Sequence, residues 1–412
     1  MYILVGLQKV FRNRRSLLLI FFIVMLFCNN VFSQVITTFN AVADIEFSMA
    51  GKNSHYYYNE IDKDHVDPRI GIAQLNFINK IKFNKQWSLT TRLLLERDKG
   101  QKLERFVVPL LNLAWLSKNR KFGITLGSFT NPFGSFSKKQ LSVDRNFIGN
   151  PLAYSYHVNI SDKIGFVDGM GDIAKIPIDN TVQWGTTNIY YGAYTTGALF
   201  SWNIKPAKVN WKLALVNGAS NVQKRFTDPM HFGVISRLKI QPTYFWEQGF
   251  SFSHGTFLLE SEISDQLDDL KDFSQTIIGT DYKLGFGFFE FSGEAMLVYY
   301  KVPQFNDDNQ QFETEDGNMA YDLSNFTAYL DVKYEAPILQ GSYIAYRIDH
   351  LRFNNSDQNQ SWDNKVLRHS VAIGYHIHKN ILARVAVSTQ QIDNKEWDKT
   401  QGTLRVVLTA HF

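Results

Sequence analysis

The clearest structural pattern in the sequence is found in Thr403-Leu-Arg-Val-Val-Leu-Thr-Ala-His-Phe412. Every second residue in it is apolar, beginning with Leu404 and Val406, and the residues between them are mostly polar. Successive side chains of a β-strand point to opposite faces, so this stretch predicts a strand with one apolar and one polar face. The same period of two recurs from residue 39 onward, for example from Phe326 to Tyr334, which predicts an all-β protein.

The connections between the predicted strands are short and long in strict alternation. Tight connections include Asn84-Lys85 and His378-Lys-Asn380, whereas residues 131–188 form the longest connection, the third of the long ones. This pattern is typical of a transmembrane antiparallel up-and-down β-barrel of about 16 strands, with turns on one side and long outer loops on the other. The predicted strands are 39–50, 69–83, 86–97, 106–117, 121–130, 189–204, 208–217, 231–240, 243–257, 274–284, 288–301, 323–335, 340–353, 366–377, 381–391 and 402–412.

The first 33 residues have the pattern of a secretory signal peptide. Four basic residues between Lys9 and Arg15 precede about 13 apolar residues, and a cleavage site follows at Ser33. A membrane anchor is the competing interpretation, but a spanning helix needs about 20 apolar residues. We therefore expect a signal peptide at 1–33 and a single transmembrane barrel domain at 34–412.

The composition excludes several classes of protein. Charged residues make up 20% of the chain and aromatic residues 15%, which does not fit a disordered protein. The one cysteine excludes a disulfide scaffold, a cysteine-based zinc site and an iron–sulfur cluster. Without the leader, basic and acidic residues are equal in number, which excludes a generally basic surface for nucleic acid.

The leader, the strand pattern and the terminal Phe412 together resemble Gram-negative outer-membrane β-barrels of the porin type. The size and the one very long loop are similar to sixteen-stranded porins, including phosphate-selective porin-like barrels. The stretches Asn131-Pro-Phe-Gly-Ser-Phe136 and Gly149-Asn-Pro-Leu-Ala-Tyr154 resemble loops in barrels of the Bacteroidota. The resemblance implies a cell outer membrane location with both termini periplasmic, contact with outer-membrane lipid and lipopolysaccharide, a homotrimer, and recognition of Phe412 by the barrel insertion machinery.

A barrel of about 16 strands is wide enough to hold an aqueous channel unless something fills it. Connections longer than about 15 residues are usually functional, and the third outer loop narrows the lumen in the porins that this chain resembles. We therefore expect residues 131–188 to fold into the lumen as a constriction or plug. The predicted constriction residues are Lys138, Lys139, Arg145, Tyr154 and Tyr156.

Charges on the polar faces of the strands would set the selectivity of such a pore. Basic residues slightly outnumber acidic ones there, which favours a weak anion preference or little selectivity. The alternative is that these side chains only solvate the lumen and pair across strands. The predicted pore-lining residues are Lys82, Arg92, Arg237, Lys283, Glu294, Arg347, Arg368, Arg384 and Arg405.

The sequence predicts no catalytic residues, no metal site and no cofactor. Ser253-His254 lacks the neighbouring groups of a hydrolase, and His378 falls in a predicted turn beside His376. The predicted function is passive diffusion of small hydrophilic solutes through a channel. The alternative is a non-conducting scaffold barrel that docks a lipoprotein, a cytochrome or a secretion partner through its loops.

Overall fold

Sixteen long strands form the wall of the protein in the computed structural model. The structure describes residues 35–51, 68–96, 105–158, 160–162, 166–167, 177–178, 181–182, 185–222, 231–258, 270–306, 311–312, 320–354, 365–392 and 400–412, so the predicted signal peptide lies outside it. The strands are β1 Ile36–Ala50, β2 Arg69–Lys82, β3 Trp87–Glu96, β4 Arg105–Leu116, β5 Phe122–Thr130, β6 Tyr194–Lys205, β7 Val209–Asn217, β8 Phe232–Thr243, β9 Trp246–Thr256, β10 Ser274–Phe286, β11 Phe289–Asn306, β12 Ala320–Glu335, β13 Ser342–Phe353, β14 Lys365–His378, β15 Ile381–Ile392 and β16 Thr400–His411.

Each strand pairs antiparallel with its neighbour along the chain, and the last strand returns to the first. In that closing pair Val42 lies opposite His411 and Ala50 lies opposite Thr403. The barrel is therefore closed, which leaves no unpaired edge for association with another chain. The predicted transmembrane antiparallel up-and-down β-barrel of sixteen strands is confirmed.

Short elements lie in the long connections. The described helical turns are Phe136–Lys138, Ser142–Asp144, Leu152–Ser155 and Leu270–Asp272, and the described two-residue strands are Phe166–Val167, Pro177–Ile178, Thr181–Val182 and Gln311–Phe312. No helix in the described ranges is long and apolar enough to cross a membrane.

Several strand ends differ from the sequence prediction, and two of these differences have a clear local reason. Strand β8 continues through Gln241-Pro242 to Thr243, because the ladder with β9 shifts register there and Thr243 pairs with Trp246. Proline, which cannot donate to a ladder, is tolerated at such an irregularity. Strand β6 begins at Tyr194 rather than at residue 189, since Ile189 is buried in the loop that precedes it.

The two faces of the wall have opposite environments. In β13 the odd-numbered side chains from Tyr343 to Phe353 point inward and are buried, whereas Ile344 and Tyr346 point outward and are 48% and 41% exposed. Exposed aliphatic and aromatic side chains recur on the outer face of the other strands. An apolar outer face with charged residues inside is the arrangement of a membrane barrel.

The third long connection folds into the barrel. Leu152, Ala153 and Tyr154 have no exposed surface and belong to one apolar cluster with inward side chains of the wall, including Val298 and Leu351. The loop therefore occupies part of the lumen, as predicted.

Candidate functional site

The structure places all nine predicted pore-lining residues on the inner face of the barrel. The strand register places three of them opposite other residues of the inner face. Arg237 lies opposite Lys212, Arg347 opposite Asp331, and Arg405 opposite Ala386. Their exposure divides them. Lys82 and Lys283 are exposed, Arg405 is partly buried, and the buried ones are Arg92, Arg237, Glu294, Arg347, Arg368 and Arg384.

Glu294 of β11 receives the first part of the loop. Its Oε1 accepts hydrogen bonds from the backbone amides of Ser135 and Phe136, each at 2.5 Å, and from Ser135 Oγ at 3.0 Å. Its Oε2 accepts a hydrogen bond from Tyr154 Oη at 2.8 Å. One inward carboxylate thus joins two parts of the loop, which fixes their separation.

Two glycines allow this close approach. Gly134 has φ of 62°, and a Cβ at this position would lie 2.6 Å from Glu294 Oε1. On the wall, a Cβ at Gly279 would lie 2.8 Å from Cζ of Phe133, whose ring packs against that position. A side chain at either position would therefore push the loop away from the wall.

Three inward arginines on β13, β14 and β15 hold the second part of the loop. Each donates to at least one backbone carbonyl oxygen of the loop, so these contacts depend on the path of the loop. A cavity of about 10 Å³ lies between this part of the loop and the wall, enough for about one water molecule. The contacts are Arg347 Nη1 to Gly149 O at 3.1 Å, Arg368 Nη1 to Asn150 O at 3.4 Å, and Arg384 Nη1 to Ser142 O at 2.7 Å and to Arg145 O at 3.1 Å.

Some of the deeply buried charges in the described lumen form ion pairs. Arg237 contacts both carboxylate oxygens of Asp281, at 2.6 and 3.0 Å. Arg405 contacts Glu46 in the same way, at 2.9 and 3.1 Å. Such bidentate pairs combine electrostatic attraction with a fixed geometry. These arginines therefore contribute little uncompensated charge to the lumen.

The exposed charges inside the barrel are more often basic. Lys80, Lys82 and Lys138 are exposed and form no ion pair with a described residue. Exposed acids of the lumen include Asp144 and Glu335, and Glu335 pairs with a lysine. The water-accessible part of the described lumen is thus weakly positive.

The predicted constriction residues lie in two environments. Tyr154 and Tyr156 are fully buried, whereas Lys139 and Arg145 are partly exposed and Lys138 is exposed. Water reaches Lys138, but the surrounding wall still desolvates it, and this burial lowers its pKa to about 8. Repulsion from Arg237 and Lys212 acts in the same direction.

Sequence reasoning missed one polar network near the long-loop end. Asn188 of the loop donates to Asn325 Oδ1 and Thr327 Oγ1, each at 2.9 Å, and Gln275 Nε2 donates to the carbonyl oxygen of Asn188 at 2.8 Å. Gln275 and Asn325 have uncharged amides at inward positions of β10 and β12, which is the signal that could have indicated a loop contact. In the described ranges no three potential metal ligands are grouped.

No family model matches the sequence, and no curated protein is significantly similar to it. Solved structures do resemble it. The anion-selective porin from Comamonas acidovorans has a TM-score of 0.59 at 10% identity, covering 92% of this chain and 100% of that chain. The outer membrane channel DcaP of Acinetobacter baumannii has a TM-score of 0.56 at 12% identity, covering 92% and 98%. OmpT, an outer membrane protein of Vibrio cholerae, in a trimer form, has a TM-score of 0.56 at 8% identity, covering 92% and 100%.

At these identities the likeness concerns the fold. It agrees with the sixteen strands, the closure between β16 and β1, and the apolar outer face. The protein therefore has the fold of a porin-type outer-membrane β-barrel.

Proposed function

We propose that the protein is an outer-membrane channel for passive diffusion of small hydrophilic solutes, with a weak anion preference, and not an enzyme. The observation that carries this proposal is a closed sixteen-stranded wall whose inner face bears exposed charged side chains. A barrel of this width is too wide for its own side chains to fill. The folded loop then narrows the passage.

The path of the solute is proposed to run along β2, β3 and β4. The two described apolar clusters attach the loop to other parts of the wall, and neither cluster includes a residue of these three strands. Arg92 and Glu96 of β3 lie on this side, and the Glu96 carboxylate accepts a hydrogen bond from Tyr191 of the loop at 3.2 Å. Charged groups there would support a hydrated passage.

The weak anion preference follows from the exposed lysines Lys80, Lys82 and Lys138. The inward arginines Arg237 and Arg405 are compensated by Asp281 and Glu46, so they add little to the field that a permeating ion meets. Fixed charges that face water attract counter-ions into a narrow passage. A phosphate-specific ladder would need a longer run of uncompensated basic groups.

The orientation and assembly are proposed by analogy with the fold. Long connections would face outward, both termini would be periplasmic, and Phe412 would engage the insertion machinery. The OmpT structure is a trimer form, and a homotrimer surrounded by outer-membrane lipid and lipopolysaccharide is proposed for this protein as well.

Conductance of the purified protein in a planar bilayer tests the channel proposal. We expect steady single-channel conductance and, in a salt gradient, a reversal potential of the sign that indicates anion preference. A cation preference would contradict the weak anion preference. Absence of conductance from a correctly folded barrel would contradict the channel itself.

Lys138 is expected to make the anion preference depend on pH. With its pKa lowered to about 8, its ammonium group is charged below that pH and loses its charge as the pH rises through it. Anion preference should therefore fall between about pH 7 and pH 9. Reversal potentials measured across this range would show the step.

The Lys138→Gln variant should lack that step and should show at every pH the lower preference that the unaltered protein reaches above pH 8. Lys118→Gln is the matched control, because Lys118 is an exposed lysine in the turn between β4 and β5. A step that persists in Lys138→Gln would assign the titration to another group.

The second candidate function is the scaffold barrel. It is favoured by the apolar packing of Leu152, Ala153 and Tyr154, which resembles a protein core more than a water-facing loop. A barrel that does not conduct by itself, and conducts only after the loop is shortened, would support this alternative. It would direct the search to a partner that moves residues 131–188.

A further inference from the structure

Charged side chains are scarce on the outer face of the described strands, and they lie at the long-loop ends of β11 to β14. Along most of the circumference the outward positions are apolar or uncharged. The outward charged residues that the structure describes are Lys301, Asp322, Arg352 and Lys365. Two of them compensate each other, since Lys301 lies directly opposite Asp322 in the ladder.

Arg352 and Lys365 form a cationic pair that no described residue compensates in this way. They are register partners on β13 and β14, and both are exposed. Like charges directly opposite each other destabilise a strand pair. Neither side chain forms an ion pair with a described residue, so the repulsion is not relieved by the described part of the wall. An anion bound between them would relieve it.

The surroundings of this pair are those of a membrane interface. The His350 ring lies 6.3 Å from the Phe326 ring, and Phe326 is the other register partner of Arg352. Aromatic rings of this kind occur at the level of lipid headgroups. Toward the middle of the wall, Ile348 and Leu367 give an apolar surface.

A second polar pair nearby is already satisfied. The Tyr346 hydroxyl lies 2.6 Å from Nδ1 of His369, and their rings stack. This pair supplies its own hydrogen bond, so it does not require an external partner. The cationic pair Arg352 and Lys365 is therefore the part of this face that lacks a counter-charge among the described residues.

We propose that Arg352 and Lys365 bind the phosphate of an anionic glycolipid in the outer leaflet, with His350 beside them. Arginine and lysine at the headgroup level attract anionic lipid, and arginine binds phosphate through two parallel hydrogen bonds. The acyl chains would lie along Ile348 and Leu367. The inference rests on the proposed orientation, which puts the long connections outside, and it does not depend on conduction.

Charge complementarity favours lipid over a second copy of the chain. A second copy would have to present acidic groups from its own outer face to the cationic pair. The described strands offer only Asp322 there, and Asp322 already faces Lys301. A phosphorylated glycolipid supplies negative charge and apolar chains together.

Native mass spectrometry of the full protein, titrated with diphosphoryl lipid A in detergent, tests the proposal. We expect the double variant Arg352→Gln/Lys365→Gln to bind lipid A about tenfold to thirtyfold more weakly than the unaltered protein. Lys301→Gln is the matched control, being an outward lysine at the same end of the neighbouring strand β11, and should leave binding unchanged. Phosphatidylglycerol serves as the second probe and should bind more weakly than lipid A.

The outcomes are distinct from those of the conductance test. Unchanged lipid A binding in the double variant, or an equal loss in Lys301→Gln, would overturn the proposal. Equal binding of phosphatidylglycerol would overturn the assignment to the outer-leaflet glycolipid. Dissociation of an oligomer without loss of lipid A would assign this face to contacts between copies instead. Conductance of the double variant should equal that of the unaltered protein, which also shows that the barrel is folded.

Discussion

Replacing Glu294 by alanine is expected to release the loop from the lumen and to increase single-channel conductance. The carboxylate accepts hydrogen bonds from the amides of Ser135 and Phe136, from Ser135 Oγ and from Tyr154 Oη. Alanine leaves all four donors without this acceptor, and each unsatisfied buried donor costs about 1–3 kcal/mol. A total of only about 3 kcal/mol would raise the undocked fraction of the loop more than a hundredfold.

The measurement combines planar-bilayer recording with limited proteolysis. An undocked loop would expose Lys138, Lys139 and Arg145 to trypsin, while the strands stay protected by the detergent. We expect Glu294→Ala to conduct more, with larger current fluctuations, and to be cut in this loop. Glu294→Gln should lie between the two, since an amide oxygen can still accept from part of the donors.

Glu290→Ala is the control for this experiment. Glu290 is on the same strand and also points inward, but it pairs with the exposed Lys283 at 2.9 Å and does not contact the loop backbone. It should change neither the proteolysis pattern nor the fluctuations. If Glu294→Ala stays as resistant to trypsin as the unaltered protein, the carboxylate does not hold the loop.

The strands and their inner faces could be predicted because both depend on a local property. Period-two alternation is visible within a single stretch such as 403–412, and the apolar side must face lipid once the chain is a membrane barrel. All nine predicted pore-lining residues consequently lie on the inner face. Strand β8 was predicted too short because Pro242 is normally a sign of a strand end, whereas here it lies at a register shift.

The contacts that hold the loop against the wall could not be predicted, because they join residues far apart in the chain. Ser135 and Glu294 are separated by 159 positions, and Ser142 and Arg384 by 242. No periodicity relates such residues, and only the closed register of sixteen strands brings them together. The length and position of the predicted loop indicated that it folds into the lumen, but not which inward side chains would bind it.

The division of charges into paired and exposed groups also required the structure. In the sequence alone, nothing distinguishes Arg237 from Lys138, and both are predicted to contribute positive charge to the lumen. In the barrel Arg237 is joined to Asp281, which is 44 positions away, whereas Lys138 has no described ion-pair partner. Counting inward charges from the sequence therefore overestimates how many of them a solute meets.

Arg347 contacts both the wall and the loop. Its replacement is the second change from which we expect a large effect, here on the stability of the barrel. Its Nε and Nη2 contact Asp331 at 2.5 and 2.7 Å, Nη1 donates to Gly149 O, and the guanidinium lies 4.3 Å from the Phe147 ring centroid. Arg347→Met keeps the bulk but leaves the Asp331 carboxylate buried without its partner. Breaking a buried ion pair from one side costs about 3–5 kcal/mol.

The free energy of unfolding, from urea-dependent tryptophan fluorescence in micelles, would measure this loss. Lys333→Met is the matched control on the adjacent strand β12, because Lys333 pairs with Glu335, whose side chain is 64% exposed. Breaking that partly exposed pair should cost at most about 1 kcal/mol. Adding Asp331→Asn to Arg347→Met should recover part of the stability, because it removes the uncompensated carboxylate charge. If the two changes simply add, or if Lys333→Met costs as much, the buried Arg347–Asp331 pair does not stabilise the barrel in the way that its geometry indicates.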